Sequence, residues 1–191
     1  MFPRHLSTTL QAGAENYPAI TLTGPRQSGK TTLVRATFPQ HAYVSLENPD
    51  QRAFAIEDPR GFLDQFASGV ILDEVQRTPD IFSYLQGIID EQDQPGRFIL
   101  TGSQNFLLLQ SISQSLAGRC AVLHLLPFSR SELDGQPPMD LERIGLDTPS
   151  AGSGDRDVFK TLITGGYPRI HDKSLPPQDW LNNYYQTYLE R

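Results

Sequence analysis

Two clusters of residues stand out for the chemistry their types and spacing allow. The first is Gly24-Pro25-Arg26-Gln27-Ser28-Gly29-Lys30-Thr31, which fits G-x-x-x-x-G-K-[ST] at every fixed position. Glycines at the first and sixth places let the backbone turn sharply and approach a ligand closely. The N–H groups of such a loop, and the positive end of a helix that follows it, favour an anion. Lys30 is placed to reach β- and γ-phosphates, and the Thr31 hydroxyl to sit on Mg²⁺. Pro25, Arg26, Gln27, Ser28 and Thr32 complete the expected phosphate cradle. The second cluster is Asp73-Glu74, closing the run Gly69-Val70-Ile71-Leu72. Asp73 would bind Mg²⁺, usually through water, because that ion prefers oxygen ligands and dehydrates reluctantly. Glu74 would orient or deprotonate an attacking water.

Weaker signals accompany these two. Ser103 and Gln104, with Thr101 behind them, suit a sensor of the γ-phosphate. Arg119 suits stabilisation of phosphate charge, in its own subunit or in a neighbouring one. Each has a plain structural reading beside the chemical one: a glycine turn before a helix, a solvated acidic strand end, a polar helix cap, a surface arginine.

The clusters need elements to hold them. Ala19–Thr23 is a short apolar and β-branched run, readable as a buried strand, and Thr31–Ala36 opens a helix. Val70–Leu72 reads as a fully buried strand, and ligands of open parallel sheets lie outside the carboxyl ends of strands. Further strands are expected at 42–46, 97–101 and 120–126. Helices are expected at 1–17, 51–56, 59–66, 81–91 and 158–163, and again around Trp180–Leu189. The stretch from Asp134 to Asp157 is rich in Gly, Pro, Ser and Asp and reads as a linker or long loop. Arg4 and His5, near the start of the first helix, are candidates for contact with a nucleotide base.

Bulk composition bounds the rest. A chain of 191 residues can form one domain with a sizeable core. A net charge of −6 argues against gripping nucleic acid by bulk electrostatics alone. No apolar run is long enough to cross a bilayer, and no signal-peptide pattern opens the chain. The single cysteine, Cys120, excludes an internal disulfide framework and fits a reducing, cytoplasmic setting. His5, His41, His124 and His171 are scattered without metal-ligand spacing.

GPRQSGKTTL, VILDEVQRTPD, FILTGSQNFLL, SLAGR, LLPFSRSEL and GGYP together resemble prokaryotic AAA-like P-loop ATPases that carry a C-terminal domain of unknown function. The resemblance implies a three-layer α/β/α core with a mostly parallel five-stranded sheet and a short helical extension. It implies that the strand near Ile99 lies between the phosphate-loop strand and the Asp73 strand. It further implies Asp73 and Glu74 as the Walker B acids, Ser103-Gln104 as the sensor region and Arg119 as a phosphate-facing arginine. The expected division is 1–133 as the ATPase core, 134–157 as linker, and 158–191 as the start of a truncated helical region. ATP and Mg²⁺ are the expected ligands. A homo-oligomer and a DNA or protein partner stay open, with no membrane association expected. No N-K-x-D motif appears, so ATP is preferred over GTP. The alternatives are a nucleotide-dependent switch with little hydrolysis and a small-molecule phosphotransferase.

Overall fold

Strands β1 (Ala19–Gly24), β2 (Ala42–Ser45), β3 (Val70–Asp73), β4 (Phe98–Ser103) and β5 (Cys120–His124) form one sheet in the order β2-β3-β4-β1-β5. Every pairing is parallel. β4 therefore lies between β1 and β3, as the resemblance implies. The computed structural model describes residues 2–103, 112, 114–138 and 158–189, so most of the expected linker lies outside the described residues.

All residues of β1, β3 and β4 are buried, which is why they read as unbroken apolar runs rather than alternating ones. Alternation still assigns their side chains to two faces. Ile20, Leu22, Ile71 and Ile99 pack with Leu10 of α1 (Leu6–Asn16) and with Leu33 and Val34 of α2 (Lys30–Thr37). Val44, Val70, Leu72, Phe98 and Leu100 pack on the other face against three helices. These are α3 (Pro49–Glu57), α4 (Pro59–Asp64) and α5 (Ile81–Glu91). Each fully buried Leu, Ile or Phe here contributes about 1.5–3 kcal/mol relative to exposure. Helices on both faces give the three layers.

Local chemistry sets the helix ends. Asn48 caps α3 by accepting from the N–H groups of Asp50 and Gln51, and Asp58 caps α4 through the N–H of Gly61. Both helices start on proline, whose missing N–H costs nothing at that position. The first helix is shorter than its apolar stripe. Phe2 lies outside it, packed on Phe128 with ring centroids 5.1 Å apart.

Packing divides the chain into Leu6–Leu126, which holds the sheet, and a second unit of Met1–His5 with Pro127–Arg191. The second unit contains α6 (Arg130–Leu133), α7 (Val158–Thr164), α8 (Pro168–Lys173) and α9 (Pro177–Tyr184), which runs into a π turn at Tyr185–Leu189. α8 was not expected from periodicity, being only six residues long.

Two contacts organise this unit. Glu132 and Ser129 form a reciprocal capping box on α6, and the same carboxylate accepts from Arg4 Nε at 3.1 Å and from the His5 N–H at 2.8 Å. Burial alone would raise the Glu132 pKa. The N–H groups of Ser129 and His5, together with Arg4, outweigh it and hold the carboxyl below its ordinary value. Gly166 is the second contact. Its carbonyl accepts from the Phe128 N–H at 2.7 Å, and a Cβ there would meet the Phe128 carbonyl oxygen at 2.2 Å. The glycine of GGYP is thus fitted to the backbone of LLPFS. Tyr167, Trp180 and Tyr184 add a small aromatic core, with Trp180 and Tyr184 stacked at 5.1 Å.

Candidate functional site

β1 delivers the glycine loop at its carboxyl end. Gly24 has φ 148°, and a Cβ there would stand 2.2 Å from the Leu125 carbonyl oxygen, so both its angle and its surroundings exclude a side chain. Gln27 adopts φ 60° inside the loop, and Gly29 (φ 95°) forms the N-cap of α2. Gly29 offers no side-chain acceptor, so the N-cap itself does not satisfy the first-turn N–H groups. Lys30 is 5% exposed and donates to the carbonyls of Gly24 and Pro25 at 3.0 and 2.9 Å. Among the described residues no ion pair engages it. Burial holds its pKa below the usual lysine value, against the opposing pull of Glu74 and Asp73. A buried ammonium satisfied only by carbonyl dipoles is a fit for an incoming polyanion.

β3 places Asp73 beside this loop. Its side chain accepts from Thr31 Oγ1 at 2.9 Å and from the Tyr43 phenol at 2.8 Å, both on Oδ2. The hydroxyl of Thr101 donates to Oδ1. Strand register explains the convergence. Leu72 lies opposite Leu100 and Ser45 opposite Asp73, so β4 and β2 flank the carboxylate from either side. Burial and the bond to Asp73 push the Tyr43 phenol up to about 12. Arg35 of α2 lies over the Tyr43 ring, 4.7 Å from its centroid.

Glu74 leaves the strand in the left-handed region, φ 58°, and starts a 3₁₀ turn at Val75–Arg77. The Gln76 side-chain amide donates to Glu74 Oε2. Ser103 lies opposite Gly24 in the sheet register, and its buried hydroxyl finds no hydrogen-bond partner among the described residues. Gln104 lies outside the described residues. Thr32 is exposed in the first turn of α2, and Arg26 is exposed on the loop.

Arg119 is not brought to this cluster. It precedes β5, and its carbonyl accepts from the N–H of Ala19 at the start of β1, so it lies at the amino ends of the strands. Its guanidinium pairs with Asp90 at 2.5 Å. Arg4 and His5 are engaged by Glu132 and, through the His5 ring, by the Gln136 carbonyl at 2.9 Å. Tyr43 and Gln76 were missed by the sequence reading. Tyr43 shares a strand face with its register partner Ile71 and with Asp73, but only the sheet order makes that visible.

The donor set suits a hard divalent cation: a carboxylate and a hydroxyl, both oxygen, side by side. Among the described residues no group of three His, Cys, Asp or Glu could hold a metal unaided. A cation here would therefore complete its shell with water and substrate phosphate oxygens, the usual habit of Mg²⁺. Residues 16–134 match the family model described as AAA domain. The chain belongs to the AAA family.

Within that family, this AAA chain is 31% identical over 196 aligned positions to proteins of Mycobacterium bovis and Mycobacterium tuberculosis, both named only as uncharacterized. Each alignment covers 98% of this chain and 39% of the relative, so the chain spans well under half the length of those relatives. In fold it is similar to the Walker-type ATPase PABY2304 of Pyrococcus abyssi, with TM-score 0.53 and 20% identity. That similarity covers 88% of this chain and 65% of the other. Family and fold agree: the chain is an AAA domain, and its sheet and helices have the fold of that Walker-type ATPase. Among the described residues no helix is long and apolar enough to cross a membrane.

Proposed function

We propose that this domain binds ATP with Mg²⁺ and hydrolyses it, with the cycle coupled to a conformational change in a longer, cytoplasmic prokaryotic protein. The observation that carries the reading is the junction of Thr31 with Asp73, beside a buried Lys30 that no ion pair engages among the described residues. The loop N–H groups and Lys30 bind and orient the triphosphate, and Thr31 and Asp73 hold the cation from the protein side. The cation, when bound, neutralises phosphate charge and polarises the bond to be cleaved. Glu74 takes the proton of the attacking water, and Ser103 contacts the terminal phosphate. Gln104 completes the sensor, and Gly24 through Thr32 form the cradle. Since Arg119 lies at the far end of the strands, its proposed role is toward the site of a neighbouring subunit. Residues 1–133 act as the core, 134–157 as the linker, and 158–191 as the beginning of a region through which DNA or protein is engaged.

Glu74→Gln tests the assignment. The variant should bind ATP as wild type does and release phosphate about 100-fold more slowly. Equal turnover would sink the role. One observation favours a second reading, a nucleotide-dependent switch with little hydrolysis: the Gln76 amide already engages one of the two Glu74 oxygens. Tight ATP binding with phosphate release at background, under excess MgATP, would select the switch.

A further inference from the structure

We propose that Tyr43 is a positioning residue for the metal site: its phenol fixes the Asp73 carboxylate in the orientation that receives a divalent cation. The inference rests on the metal-assisted reading above. Asp73 is 6% exposed, so its oxygens depend on protein donors. Thr101 serves one oxygen, while Thr31 and Tyr43 share the other. Thr31 belongs to the loop that must also meet substrate, and Thr101 to the strand leading into the sensor. Tyr43 alone comes from an edge strand that carries none of the proposed phosphate contacts.

Its ring is held independently of the carboxylate. The Arg35 guanidinium lies over it from α2, the helix whose first turn carries Lys30 and Thr31. A ring fixed by one helix and a hydroxyl donated to the acidic strand tie the metal ligand to the phosphate loop. Groups that hold a metal ligand from behind in this way typically change metal affinity 10–100-fold when removed. Tyr43 is also 37% exposed and forms part of the wall of a cleft of about 440 Å³ with Ser45, Asn48, Gln51 and Phe66. Its ring therefore tolerates loss of the hydroxyl without opening the core.

The test compares wild type with Tyr43→Phe, titrating Mn²⁺ by electron paramagnetic resonance in the presence of ADP, and ADP alone by calorimetry. The expected result is Mn²⁺ binding weakened about 10-fold in the variant, with metal-free ADP affinity and thermal unfolding unchanged. Arg35→Ala, which frees the ring but keeps the phenol, should fall between the two. Equal Mn²⁺ affinity in wild type and Tyr43→Phe overturns the proposal. So does a parallel loss of metal-free ADP affinity, which would mark a general structural role. A wild type that binds no nucleotide removes the underlying reading instead, and that failure shows in the wild-type arm alone.

Discussion

Asp73 and Glu132 are two carboxylates buried to the same degree, 6% and 5% exposed, in different units of the chain. Their partners differ in kind. Asp73 is served by three hydroxyls, from Thr31, Tyr43 and Thr101. The Glu132 carboxylate is served by the backbone N–H groups of His5 and Ser129 and by the Arg4 guanidinium. A hydroxyl rotates and can accept as readily as it donates. A backbone N–H or a guanidinium can only donate, from a fixed direction. Asp73 is therefore satisfied reversibly and can turn to a ligand, whereas Glu132 is satisfied permanently and fastens residues 2–5 to α6.

The comparison breaks most sharply at Asp73→Asn. Its hydroxyl neighbours can reorient to accept from the new amide, so unfolding in urea should change by no more than about 1 kcal/mol. Turnover should fall at least ~100-fold, a barrier increase of roughly 2.7 kcal/mol, because an amide is a poor partner for the cation. A destabilised protein with intact turnover would invert the two roles.

Next in size is Glu132→Gln. Here the new amide N–H groups face donors that cannot become acceptors, and the expected cost is about 2 kcal/mol of stability. The pH dependence has a definite sign. The folded carboxyl titrates below its unfolded value of about 4.3, so its stabilisation is complete above that value and is lost as pH falls through it toward the folded one. The stability gap between wild type and variant should therefore close on acidification. A gap that stays constant from neutral pH down to about pH 3 would show that the charge of Glu132 is not the source.

The smallest effect is expected at Arg119→Ala. Arg119 and Asp90 repeat the guanidinium–carboxylate chemistry of Arg4 and Glu132, but in water: their side chains are 36% and 47% exposed, against 10% and 5%. Exposed pairs contribute about 0–1 kcal/mol and are screened by salt. Thermal unfolding of Arg119→Ala at low and high salt should therefore lie close to wild type, with any difference shrinking as salt rises. A loss as large as that at Glu132 would mean burial is not what separates the pairs.

Much of the candidate site was legible because its signals are local. The glycine loop, the lysine and threonine after it, and the acidic end of β3 each sit within a few residues, where spacing alone dictates geometry. The partners of those residues were not legible. Tyr43 and Asp73 are 30 residues apart and Thr101 is 28 from Asp73, so their bonds depend on which strands neighbour β3. Arg119 shows the converse. Its type invited a phosphate role, but the direction of β5 sets it at the amino ends of the strands, away from the Thr31–Asp73 cluster of its own chain and paired with Asp90.

The second unit was harder to read for the same reason. Its short helices carry too little periodicity to announce themselves, and Glu132 meets Arg4 across 128 residues of chain. The sequence by itself determined the fold class, through buried strand runs and glycine, proline and asparagine punctuation, and it determined that a phosphate loop faces an acidic strand end. Only the tertiary structure decided how each buried charge is satisfied. Hydrogen bonding is directional and short in range, so the sheet order and the packing of the helices choose the partner.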